Sequence, residues 1–552
     1  MIKKIILLAL LFQVTSSSFS LSAHLNAIQP KTILSKSLLD YGIKNKNINL
    51  MKMALKNEVF GSEKWREILL KMANKDANSA YQLASFYKVK DENAKALLWY
   101  QQAARLKHHG ASIESALLLL QQKGNSQEAL QQAMSTLSLI PSLSEENKAI
   151  VPPSIQLQKA IIQIEIAITK GSTALLNRLL LRYADLLLND EAGQALLKQL
   201  AHFNVAFFYQ EEVQKKLLSE TNPPSKEKNT VLLPFFSNME QNIHGNKNCL
   251  ADIQLFATSL QDLKATEQLI KQFKGNPLSQ SVCLLPVRYT PLPKLKCDKE
   301  NLYTRQRTLQ CDESYWKNLA EQIKAKYIGI VVPQTSSFVH LGILYLKSGE
   351  SVLGFSHEVS HLLGFVDEYP IPSKHQKCQN EQDQPFSLNV AVLAKNYRGK
   401  RDELRNKILK KIAWGSKIKK TTPILVQSFK PSHNGNKKGE TYWQLGTPLI
   451  YQNEVGVFQS KTCDNSANKQ IGAFKPLSTA THLQYTSSRF PRLYSELLTQ
   501  YEDTFQMPSY EYNIALKQFQ RGQVKQAEHW LTRASLHENK AKRIEKVLNG
   551  MF

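Results

Sequence analysis

The first 248 residues contain no cysteine, and nowhere in the chain do two cysteines stand in a CxxC spacing. The first absence rules out a cysteine-switch residue in the N-terminal helical stretch. The second argues against a structural zinc ribbon or finger, which needs closely paired thiolates. Beyond the N-terminus no run reaches the roughly 18 uncharged apolar residues of a membrane-spanning helix. Acidic residues are scarce beside basic ones, 46 against 71, so the chain carries a formal charge of +25. No nucleic-acid-binding motif accompanies that excess, and nucleic acid is not expected as a partner. Low complexity and collagen-like periodicity are also lacking. What is present is 552 residues with 42% hydrophobic content, enough for two to four globular domains.

Met1–Ala23 reads as a secretory leader: Lys3 and Lys4, the apolar run Ile5–Val14, then small residues through Ser22 and Ala23. It holds no cysteine for a bacterial-type lipid anchor. The expected location is outside the cytoplasm, periplasmic or extracellular. The six cysteines agree, since all fall between Cys249 and Cys463 and an oxidising compartment favours bridges. Cys297–Cys311 and Cys378–Cys463 are expected pairs. Residues 391–420 concentrate 11 Lys and Arg against Asp402 and Glu403. That stretch reads as a solvated helix face, with electrostatic contact to an anionic envelope surface as the alternative.

From about Ile33 to Leu218 apolar and Ala positions recur at helical spacing, so residues 24–221 form an all-α region. The segment AKALLWYQQAARLKHHGAS resembles the Sel1-type subclass of tetratricopeptide-like repeats, whose stacked hairpins present a binding surface. A protein partner through these repeats is the expectation. Ala515–Leu531 resembles another such hairpin and places a C-terminal helical unit at 501–552. The breaker cluster Asn222–Asn229 separates the helical region from an α/β (α+β) domain at 230–500. Its expected strands are Thr230–Phe236, Ala251–Thr258, Ser281–Arg288, Tyr327–Val332 and Val339–Leu346. Helices are expected at Ser259–Phe273, at Glu313–Lys326 and from about Gly349.

That last helix carries His357-Glu358-Val359-Ser360-His361-Leu362-Leu363-Gly364-Phe365-Val366-Asp367-Glu368-Tyr369. Histidines at i and i+4 lie one turn apart and reach one metal ion; Glu358 follows the first and can hold a water. Gly364 permits the turn that brings the chain back, so that Asp367 completes a three-ligand Zn2+ set with an open fourth position. Glu368 is the alternative third ligand.

HExxHxxGxxD followed by Glu-Tyr resembles the zincin peptidases with an Asp ligand, specifically the IgA-peptidase-type metallopeptidase family. Ser387-Leu388-Asn389-Val390, Ile412-Ala413-Trp414, Val455-Gly456-Val457-Phe458 and Gly472-Ala473-Phe474-Lys475-Pro476 are similar to further segments of that family. The resemblance covers about residues 325–490. It implies a zincin-like fold and a zinc-dependent endopeptidase acting on protein or peptide, with Glu358 as general base. Related zincins place a Met beneath the metal; here Leu483 stands in Thr481–Tyr485, and Tyr485 would stabilise the oxyanion. Two other functions stay open: a zinc amide hydrolase acting on cell-wall or other non-protein substrates, and a repeat-based interaction protein with a vestigial metal site.

Overall fold

The computed structural model describes residues 36–123, 126–142, 151–203, 205, 249–297, 311–333, 336–430 and 440–552. The leader 1–23, the cluster 222–229 and the strand expected at 230–236 lie outside these residues. The chain divides into two compact units, Met1–Leu197 and Lys198–Phe552.

The described part of the first unit is helical, as the periodicity implies. Its helix starts are written into the sequence: Asn47, Ser62, Asp76 and Ser126 each accept a hydrogen bond from the backbone N–H three residues on. The hairpin Ala77–Val89 and Asn93–Arg105 buries Ala80, Leu83, Ala84, Ala96, Tyr100, Ala103 and Ala104 in one cluster. Small alanines let the helix axes approach while Leu83 and Tyr100 fill the groove.

Helix Pro153–Lys170 is buried over most of its length and carries a lysine, Lys159, whose Nζ donates to the carbonyls of Ile140 (2.7 Å) and Pro141 (3.3 Å). Burial pulls the Lys159 ammonium down to about 8, with Arg182 adding to the effect. Below that pH the group is charged in both folded and unfolded chains. Between about 8 and the ordinary lysine value near 10.4 the unfolded chain holds the extra proton, so stability rises with pH. Unfolding temperatures across that window are expected to rise more in the native protein than in Lys159→Met. Equal slopes would contradict the assignment.

In the second unit, strands β1 (Ala251–Ala257), β2 (Val282–Tyr289), β3 (Tyr327–Val332), β4 (Phe338–His340) and β5 (Ile343–Lys347) form a sheet in the order β2-β1-β3-β5-β4. All neighbours are parallel except β4, which runs antiparallel to β5 at the edge. The apolar run Val339–Leu346 is therefore two strands and not one. Leu341 and Gly342 both adopt positive φ (40° and 87°) and fold it into a tight hairpin, a turn that Gly342 signals. The expected helix over Glu313–Lys326 is instead two short 3-10 turns, Glu313–Asn318 and Ala320–Gln322, buried around Trp316. Helix Leu260–Phe273 follows β1, capped by Ser259.

Two smaller antiparallel sheets complete the unit. One pairs β10 (Phe458–Ser460), β11 (Ile471–Lys475) and β6 (Ala391–Ala394); the other pairs β7 (Asn396–Tyr397), β9 (Glu440–Leu445) and β8 (Leu425–Lys430). The C-terminal helices Tyr510–Gln520 and Val524–Ser535 pack into the large sheet. Tyr510, Ile514, Ala515 and Trp530 share a core with Phe256, Trp316, Ile328, Ile330 and Tyr345. Each large side chain buried there contributes about 1.5–3 kcal/mol.

The disulfides are Cys249–Cys283, Cys297–Cys311 and Cys378–Cys463, with no free cysteine. The last two are the expected pairs, and all three suit an oxidising compartment. No described helix is long and apolar enough to cross a membrane.

Candidate metal centre

The motif helix is Val352–Leu362. Ser351 caps it by accepting from the Gly354 N–H, and Phe355, Val359 and Leu362 bury its inner face. It ends where Gly364 turns at φ 96°, with the Gly364 N–H donating to His361 O and the Phe365 N–H to Ser360 O, both 3.1 Å. A Cβ at position 364 would lie 2.5 Å from the Phe505 backbone, so this glycine is needed for space as well as conformation.

The turn carries Asp367 back over the helix. Asp367 Oδ1 lies 3.2 Å from Nε2 of both His357 and His361, and the two Nε2 atoms are 3.3 Å apart. Both rings are oriented by their other nitrogen. His357 Nδ1 donates to His482 O (3.0 Å) and His361 Nδ1 to Phe365 O (3.1 Å). With each Nδ1 donating to a carbonyl, both Nε2 atoms turn toward Asp367 Oδ1, so a proton or a metal cation has to lie among the three atoms. Three converging lone pairs repel unless a cation lies among them, and two imidazoles with one carboxylate suit zinc. The residues fit the metal.

Charge at the site follows from that convergence. Burial would pull the His361 imidazole down, but Asp367 outweighs it and holds the group at about 9. The two imidazoles overcome burial at Asp367 and keep its carboxyl far below the usual range. Burial raises Glu358, against the opposing pull of His361 and His357, which places its carboxylate within their field.

Glu368, the alternative ligand, is not at the metal position. It is completely buried and faces away, receiving Lys475 Nζ (2.8 Å), Asn389 Nδ2 (3.1 Å) and the Tyr494 hydroxyl. This network fixes the Asp367 loop. Asn389 also accepts from the Val366 N–H (2.9 Å) and donates to Val366 O (2.8 Å), while Thr462 Oγ1 donates to Asp367 O (2.7 Å). Losing Lys475 would leave a buried carboxylate unpaired, which costs about 3–5 kcal/mol. Lys475→Met is therefore expected to lower the unfolding free energy by about that amount in denaturant titrations. Adding Glu368→Leu should recover most of it, and simple additivity of the two losses would refute the pairing.

The Thr481–Tyr485 turn lies against the site. Leu483, where a Met was expected in related enzymes, is fully buried, and its carbonyl accepts the Glu368 N–H at 3.0 Å. Ser360 Oγ donates to Ser356 O and so accepts from His482 Nε2–H (2.8 Å). Burial and the two neighbouring imidazoles push His482 down to about 3, which keeps it neutral. Tyr485 is 52% exposed, and no hydrogen bond or ring contact to His357, Glu358, His361 or Asp367 is found for it among the described residues.

The tyrosine beside the ligands is Tyr369. Its ring runs parallel to that of His357 with centroids 6.2 Å apart, and the residue is 41% exposed. Burial first, then the Asp367 and Glu358 carboxylates, push its phenol well above the ordinary range, so it is a proton donor at neutral pH. The signal was there in Asp-Glu-Tyr, because two residues beyond a ligand on a returning loop is close by construction. A second grouping, Cys249, Asp252 and Cys283, holds no metal because both sulfurs are in a disulfide.

No protein-family model matches the chain, and neither a curated protein nor a solved structure shows significant similarity to it.

Proposed function

We propose that this protein is an exported zinc-dependent endopeptidase. The observation that carries the reading is the convergence of His357 Nε2, His361 Nε2 and Asp367 Oδ1 next to the half-buried Glu358. A zinc ion in that set supplies Lewis acidity toward water and toward a scissile carbonyl. Glu358 takes the proton of the attacking water and passes it to the leaving amine. Tyr369, protonated and facing Asp367, takes the oxyanion role first expected of Tyr485.

The edge strand β4 lies beside the motif helix, with no further strand beyond it among the described residues. An extended peptide pairs there by adding a strand, which aligns its backbone with the site. The topology and the buried Glu368–Lys475–Asn389 network also support a zincin-like fold resembling the IgA-peptidase type. The disulfides support export to the periplasm or medium, and the helical hairpins recruit substrate or a partner.

The test is incubation of the oxidised protein with an unfolded protein mixture and sequencing of the new termini by mass spectrometry. Chelator should abolish cleavage and added zinc should restore it; chelator-resistant cleavage would reject the metal mechanism. Tyr369→Phe is expected to lower kcat about ten- to a hundredfold with zinc content unchanged, and Tyr485→Phe to leave kcat near wild type. The reverse pattern in the same assay would reassign the oxyanion donor.

A further inference from the structure

On the connection from β9 to β10, away from the metal ligands in sequence, the short 3-10 turn Leu449–Tyr451 presents two aliphatic side chains to solvent. Leu449 is 73% exposed and Ile450 86%. The turn is held firmly. Thr447 Oγ1 accepts the Val457 N–H (2.9 Å), the Tyr451 N–H donates to Pro448 O (2.9 Å), and Ser478 Oγ donates to Gln452 O (2.9 Å). Glu454 then ties it to the basic stretch: its carboxylate accepts the Thr422 hydroxyl and pairs with Lys419 Nζ at 3.8 Å. The Gly446 N–H donates to Ile424 O (3.0 Å) on the same side. Lys419 is thereby tied to the same connection four residues beyond Ile450, and both it and the next residue, Lys420, are exposed. Arg405 braces their backbone by donating to the carbonyls of Lys419 and Thr422, 2.8 Å each. This is the end of the 30-residue stretch with 11 Lys and Arg.

We propose that this turn and its lysines form a docking surface for an anionic lipid membrane. Two aliphatic side chains offer too little area for a protein interface, whose core usually centres on a larger, concave anchor pocket. Two apolar side chains on a held turn, a neighbouring tyrosine and flanking lysines suit a lipid interface. Leu449 and Ile450 enter the acyl boundary, Tyr451 rests at headgroup level, and Lys419 and Lys420 meet phosphates. The basic stretch then has a role beyond solvation.

Flotation of the chain from residue 24 onward with phosphatidylcholine vesicles, with and without phosphatidylglycerol, tests this. Binding should require the anionic lipid and weaken with salt. Ile450→Asp should lower partitioning about tenfold, since it replaces an inserted aliphatic by a charge repelled from the surface. Lys419→Gln with Lys420→Gln should weaken binding and flatten its salt dependence. Failure to bind anionic vesicles, equal binding to both compositions, or undiminished binding by Ile450→Asp would overturn the proposal. Glu358→Gln should float as wild type does, so the outcome is independent of catalysis.

Discussion

Glu358→Gln is expected to keep the metal and lose the reaction, with kcat falling by about 10²–10⁴. The amide has nearly the same shape and keeps the helix between Ser351 and Gly364 intact, but it cannot take a proton. Glu358 lies on a helix whose inner face is packed and whose cap and terminal turn are satisfied, so the exchange disturbs no core contact. Burial raises its carboxyl and His361 and His357 draw it back, which makes it a stronger base than an exposed glutamate. A variant with unchanged kcat would show that the base lies elsewhere. Loss of both metal and turnover would place Glu358 in the ligand set.

Asp367→Ala should abolish tight metal binding, weakening affinity more than about a hundredfold, because even supporting residues of such sites are worth ten- to a hundredfold. The variant leaves two imidazoles facing one another across 3.3 Å with no anion between them. In the intact metal-free site His361 sits at about 9, so zinc must displace a proton at neutral pH and its affinity should climb as pH rises toward that value. Without Asp367 the counter-charge is gone, and the dependence should move toward the ordinary imidazole range near 6.5. Titration with a competing chelator at several pH values reads both effects. Unchanged affinity would point to another third ligand, although Glu368 is excluded from that place by Lys475 and Asn389.

What could be seen in the linear chain was what depends on neighbours. The i, i+4 histidines, the Gly364 turn and Asp367 lie within 11 residues, and helix periodicity with one turn places them with no further information. The same holds for helix Leu260–Phe273 and for the buried strand Tyr327–Val332. Errors arose where local patterns tie. An apolar run reads as one strand until a hairpin turn at Leu341–Gly342 divides it, and a helical period cannot tell a helix from 3-10 turns wrapped around Trp316.

The supports of the site were hidden for another reason. Lys475 meets Glu368 across 107 residues and Tyr494 meets it across 126, and no spacing rule spans such distances. Tyr485 was placed by resemblance to a turn whose backbone is where it was expected. Its side chain is half exposed, while the ring of Tyr369, nearer in sequence to the ligands, lies parallel to that of His357.

The most direct test is the zinc content of oxidised, leader-free protein measured together with cleavage of an unfolded protein mixture, in wild type and Glu358→Gln. About one zinc per chain in both, with cleavage only in wild type, is the predicted result. Wild-type protein that fails to take up zinc when it is supplied would contradict a catalytic metal centre at His357, His361 and Asp367.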